Sequence, residues 1–237
     1  MTRDFRSFIL FPTAAFVLGN VLLISGRGDL LLGDVLYGWQ GGTWRLQDAW
    51  LTSGLIHDQG RNVVGVALLT LLFAIALSHL SQAVRLYRKG LYYVLVSALI
   101  TVAIVNLMKE VSALDCPWDL ARYGGEKAYL SLFDERLAGQ SPGACFPAGH
   151  ASGAYCWLGL FFLARHFWPR WRFEVLGGVL ALGVVFGIAQ QLRGAHFISH
   201  DLWTLYISWM SATLCYFYLF RMERFRQGAC VLICTQI

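Results

Sequence analysis

The chain has 237 residues, 57% of them hydrophobic and only 14% charged, with a mean hydropathy of +0.54; a soluble domain carries roughly 45–50% apolar and about 25% charged residues. Five prolines and six cysteines further exclude collagen, disorder and a disulfide-dense secreted mini-protein. The formal charge of +5 includes no long basic run and no recognition motif, which argues against a nucleic-acid partner and leaves a polytopic membrane protein with an all-α bundle as its expected fold.

About 20 apolar residues in a helix cross a hydrocarbon core of about 30 Å. Six such windows follow one another, approximately Phe8 to Ser25, Val63 to Gln82, Leu91 to Met108, Gly149 to Trp168, Val175 to Ala195 and Leu202 to Phe220. No convincing small-residue cleavage site follows the first, so it reads as a span and not as a signal peptide. Between the windows, Arg3, Arg6, Arg85, Arg88, Lys89, Arg165, Arg170, Arg172, Arg221, Arg224 and Arg226 fall on one face, against Asp4, Glu174 and Glu223. The positive-inside rule makes that face cytoplasmic, with both termini inside. The polar connections 26–62 and 109–148 then emerge together on the outer face, beside the short turn around His196. Gly124-Gly125 and residues 139–143 punctuate the second connection. No repeat or long linker divides the chain, so one membrane-embedded domain over 1–237 is expected.

Ionisable groups at the ends of apolar helices raise a functional suspicion, and three clusters lie on the outer face. Lys109 closes the third window and precedes Cys116-Pro117-Trp118-Asp119. Phe146-Pro147-Ala148-Gly149-His150-Ala151-Ser152 opens the fourth. Gln190-Gln191-Leu192-Arg193-Gly194-Ala195-His196-Phe197-Ile198-Ser199-His200-Asp201 closes the fifth and opens the sixth. Singly, each has a plain explanation: Lys109 can snorkel, Pro147, Gly149 and Ser152 suit a helix start, and one histidine can serve as an interfacial hydrogen-bonding group. Together they suit a phosphate. Gly149 lets backbone N–H groups approach an anion at a helix N-terminus, Lys109 and Arg193 can neutralise its oxygens, and two histidines can divide nucleophilic attack and proton transfer.

These residues resemble the type 2 phosphatidic acid phosphatase superfamily of integral membrane lipid phosphatases. Its pattern is a lysine followed after six residues by Arg-Pro, then Pro-Ser-Gly-His, then Ser-Arg, five residues, His, three residues and Asp. Here Lys109 is followed after six residues by Cys116-Pro117, Pro147-Ala148-Gly149-His150 matches the second element with Ala for Ser, and the third places its histidine at 196. The resemblance runs from about Leu91 to Phe220. It implies that His196 is the nucleophile that forms a phosphohistidine and His150 the acid for the leaving oxygen, with Lys109 and the Gly149 backbone on the phosphoryl oxygens, and neither a metal nor another cofactor. The departures are Cys116 for the first arginine, Gln190 for the arginine six residues before the nucleophile, and His200 for the expected aspartate, with Asp201 one place further on. Arg193 is the expected substitute guanidinium. His200, Asp201 and Asp119 are the candidates to orient His196, and Gln190 and Asp119 are grouped with Lys109, Gly149 and Arg193 around the phosphate.

Cys116 and Cys145 share the outer connection, where an oxidising compartment would allow a disulfide. Cys156 and Cys215 fall within windows, and Cys230 and Cys234 in the inner tail. His57 and Arg61, just before the second window, belong to a solvated loop or contact a lipid headgroup. The expected activity is removal of a phosphate from a lipid phosphate or pyrophosphate, of the undecaprenyl pyrophosphate, phosphatidylglycerol phosphate or lipid A type. Its expected place is the extracytoplasmic face of a bacterial inner membrane, with the bilayer and its lipids as partners. Three alternatives stay open: a lipid-to-lipid phosphotransferase, a non-catalytic lipid-binding or transport protein, and a zinc site made by Cys116, Cys145, His150 and His196.

Overall fold

Long apolar runs can satisfy their own backbone in lipid only as helices. The computed structural model of the chain describes residues 3–132, 134 and 143–221, and contains no strand among them. Eight main helices organise the described residues: α1 (Arg3–Ser25), α2 (Gly28–Trp39), α3 (Trp50–Leu80), α4 (Arg88–Ser112), α5 (Gly149–Tyr155), α6 (Gly159–Phe167), α7 (Arg172–Leu192) and α8 (Ile198–Tyr216). The expectations placed on residues 139–142, Glu223, Arg224, Arg226, Cys230 and Cys234 lie outside the described residues.

Among the described residues, four stretches are long and apolar enough to cross a membrane: α1, α3, Arg88–Asp119 with α4, and Pro169–Leu192 with α7. The fourth expected window is helical but interrupted, α5 and α6 being joined by a 3-10 turn over Cys156–Leu158. The sixth forms α8 and a π-helical continuation over Phe217–Arg221. α8 carries His200, Asp201, Thr204, Ser208, Ser211 and Thr213, all buried. It packs against α1, α4, α5 and α6. A helix enclosed by other helices can hold polar side chains that a lipid-facing helix cannot, and those side chains lower its hydropathy.

Aromatic packing fills one end of the bundle. Phe162 is fully buried, with ring centroids 5.3 Å from Phe8, 4.9 Å from Tyr216 and 5.5 Å from Trp209. Buried aromatic rings keep their polar handles bonded: the Tyr93 hydroxyl donates to the Ala212 carbonyl at 2.8 Å, and the Trp209 indole N–H to the Phe8 carbonyl at 2.8 Å. Arg165 pairs with Asp4 at 2.9 Å at the same end.

The connection 26–62, expected as a polar segment between windows, is largely helical. It contains α2 and the first, π-helical part of α3, Trp50–Gln59. Leu31, Val35 and Trp39, four residues apart, share the exposed face of α2, while Asp29 and Gly33 are buried. The buried side packs Leu30 and Tyr37 against Leu120, Tyr123 and Phe197. Arg122 pairs with Asp34 of α2, and the Tyr123 hydroxyl donates to the Leu30 carbonyl at 3.1 Å. This connection is thereby held against the turn that carries His196.

Candidate active site

The first side of the site comes from the end of α4. Lys109 lies in its last turn, and its Nζ donates to the Ala144 carbonyl at 3.0 Å. Below it the chain is stapled, because Cys116 and Cys145 form a disulfide with Cα atoms 5.2 Å apart. The expected bond is present, and it joins the segment after α4 to the segment before α5. The backbone repeats the link, with Gly143 N donating to Ala113 O at 2.9 Å and Cys145 N to Leu114 O at 3.0 Å.

α5 supplies the second side. A Cβ at Gly149 would stand 2.8 Å from Lys109 Cε and 3.0 Å from its Nζ, so the absent side chain is what lets the lysine pass over the start of α5. The His150 ring stacks on His57 at 4.6 Å and 30° and lies 4.6 Å from Phe186; its Nε2 is buried without a hydrogen-bond partner. The π-helical start of α3 delivers His57, whose Nδ1 is 2.9 Å from Asp58 Oδ1.

The third side is the turn between α7 and α8. Gly194 takes φ +72° with the Trp44 indole packed against it, a conformation glycine adopts without steric cost. The turn is tied to the first side by the Trp118 amide, which donates to the Gly194 carbonyl at 2.9 Å. Arg193 is held by two acceptors, Gln47 O at 2.7 Å from Nε and Gln190 Oε1 at 3.4 Å from Nη1. Gln190 therefore supports the guanidinium at 193 from the position where the superfamily pattern has an arginine.

His196 is 8% exposed, and its Nδ1 lies 3.3 Å from His200 Nδ1. Burial first, then the neighbouring His200 and Lys109, holds the His196 imidazole well below the ordinary histidine pKa of 6.5, so it is neutral at pH 7. Nδ1 is thus the ring nitrogen that faces His200. The His200 ring is fixed by edge contacts to Phe146 at 5.2 Å and Phe197 at 5.6 Å. The other candidates to orient His196 are turned elsewhere. Asp201 Oδ2 accepts from Gln191 Nε2 at 2.7 Å, and Asp119 Oδ2 accepts from the Cys116 amide at 3.3 Å.

One cavity of about 760 Å³ joins these sides, lined by Lys109, Gly149, His150, Gln190, Arg193 and His196, with His57 and Arg61 and the Cys116–Cys145 pair at its border. Trp118 and Ala195, from the clusters above, also line it, as do Asn106 and Ala144, which were not singled out in the sequence. Asn106 had a usable signal, since it stands three residues before Lys109 and shares its helix face. Asp29 had none: its Oδ1 accepts the Ser199 amide at 3.0 Å from a distant part of the chain. The disulfide also removes both cysteine sulfurs from the ligand set that a zinc site would need. Among the described residues no group of three or more His, Cys, Asp or Glu is placed to hold a metal ion.

No curated protein and no solved structure matches the chain. A family model described as the PAP2 superfamily matches residues 90–224, a stretch that holds Lys109, the disulfide, His150 and the His196 turn. With more than half of its length inside that match, the chain belongs to the PAP2 superfamily.

Proposed function

We propose that the protein is a metal-independent membrane lipid phosphatase that works through a phosphohistidine on His196. Superfamily membership supports phosphatase or phosphotransferase chemistry on lipid-like substrates. The observation that carries the finer reading is the meeting of Lys109, His150, Arg193 and His196, from three separate stretches of chain, on one cavity.

In the first step His196 Nε2 attacks phosphorus; the N–P bond forms as the bond from phosphorus to the leaving oxygen breaks, and His150, entering the step as the imidazolium, gives that oxygen its proton and becomes neutral. Water then attacks phosphorus, passes a proton to His150 and breaks the N–P bond, releasing inorganic phosphate. Lys109 and Arg193 compensate the charge on the non-bridging oxygens, and His57 and Arg61 meet the headgroup at the mouth. His200, through its Nδ1 contact, keeps the His196 ring aimed at phosphorus.

The lipid tail has a matching place. An apolar cavity of about 480 Å³ between α3, α6 and α7 is lined by Val63, Val64, Leu71, Ala154, Trp157 and Leu182. It begins within one helical turn of Arg61 and His150. In this reading the chain crosses a bacterial inner membrane six times with both termini in the cytoplasm, and the cavity faces the exterior. The substrates are lipid phosphates or pyrophosphates such as undecaprenyl pyrophosphate, phosphatidylglycerol phosphate or lipid A. The test is a panel of these lipids incubated with purified parent and His196→Ala: phosphate release by the parent alone supports the reading, and a phosphorylated lipid acceptor in place of free phosphate would make the protein a phosphotransferase.

A further inference from the structure

α8 begins directly after the His196 turn, and its first turn carries Ser199 and His200. The amides at a helix start need an acceptor, ordinarily a Ser, Thr, Asp or Asn at the preceding position. Here that position is Phe197, and it provides no side-chain cap. The acceptor comes instead from α2, where Asp29 Oδ1 receives the Ser199 amide at 3.0 Å across 170 residues of sequence.

Asp29 is only 3% exposed, and burial pushes its carboxyl up to about 6. It borders a small cavity of about 20 Å³ with Phe146, Phe197, Ser199 and His200. α2 is itself fastened, through Asp34 to Arg122 and through Leu30 to Tyr123. A fixed acceptor therefore stands against the helix start from which His200 reaches His196.

From this geometry we infer that Asp29 is a positioning residue: by capping α8 at Ser199 from another helix, it holds His200 against His196 and sets the direction of the attacking nitrogen. Asp29 lies outside residues 90–224, which match the family, so this chain secures its nucleophile with a part that the matched region does not contain. The inference rests on the phosphatase reading for its catalytic consequence and on the hydrogen bond alone for its structural one.

Parent, Asp29→Ala, Asp29→Asn and His196→Ala are purified, and two quantities are read: phosphate released from the lipid panel, and hydrogen exchange across residues 197–204. Asp29→Ala is expected to lower kcat about tenfold, the worth of one lost helix cap, with KM within about twofold of the parent. Asp29→Asn keeps an acceptor oxygen in the same shape and restores kcat to within about threefold. Exchange should be faster in Asp29→Ala and parent-like in Asp29→Asn. Unchanged exchange in Asp29→Ala overturns the clamp. Faster exchange with a parent-like kcat overturns the positioning role, as does an Asp29→Asn variant as slow as Asp29→Ala. If Asp29→Ala does not fold, Asp29→Asn decides alone: a kcat within about threefold of the parent's supports the proposal, and any larger loss overturns it. A parent no faster than His196→Ala removes the phosphatase reading and the catalytic consequence with it, and exchange still decides the clamp.

Discussion

At the cavity end of the bundle, side chains meet through a disulfide, backbone hydrogen bonds and an imidazole pair. At the opposite end, around Phe162, they meet as interlocked aromatic rings, with the ion pair of Arg165 and Asp4 beside them. α8 runs through both. Its beginning presents His200 and Asp201 to polar partners, and its other end packs Tyr216 against Phe162 and Tyr93. Close packing resists loss of volume, whereas a polar cavity must keep room and charge for a ligand. On the proposed function, the first end governs rate and the second governs stability.

Substitution at each end should separate these quantities. The largest effect is expected at His150: if it is the proposed leaving-group acid, His150→Gln lowers kcat by about 10²–10⁴, with the thermal unfolding midpoint close to the parent's. An equal loss of stability and rate would break the comparison. At the other end, Phe162→Ala should cost about 3–5 kcal/mol of stability, read as a lower unfolding midpoint, while the fraction that stays folded releases phosphate at a rate close to the parent's. The smallest effect is at the staple. Cys116→Ser with Cys145→Ser, a bridge spanning 29 residues, should cost about 2–4 kcal/mol. It should also raise KM, because the bridge lies in the cavity wall. A drop in stability with KM untouched would place the staple outside the site.

Much of this molecule is legible in its sequence because a bilayer leaves the chain few options. α1, α3, α4 and α7 were readable as apolar windows. The interruption at Cys156–Leu158 was not, since no proline or charge marks it. The superfamily pattern gave Lys109, His150 and His196, and the cavity brings all three together. What stayed hidden depends on contacts between distant segments. Nothing near residue 29 announces that its carboxylate caps a helix starting at 198, and nothing near Gln190 says that it supports Arg193. The helices within 26–62 were hidden as well, because α2 exposes only Leu31, Val35 and Trp39 as an apolar stripe and is too short for a spanning window. The choice among His200, Asp201 and Asp119 could not be made from spacing alone. In the structure, His200 lies against His196, while Asp201 binds Gln191 and Asp119 binds the Cys116 amide.

The most direct test of the account is acid-labile phosphate on the protein itself. Parent protein mixed with a radiolabelled lipid phosphate and quenched in base within a single turnover should carry label on the peptide containing His196, and His196→Ala should carry none while releasing no phosphate above background. Release of phosphate by His196→Ala at the parent's rate, with no label on the parent, would contradict the account.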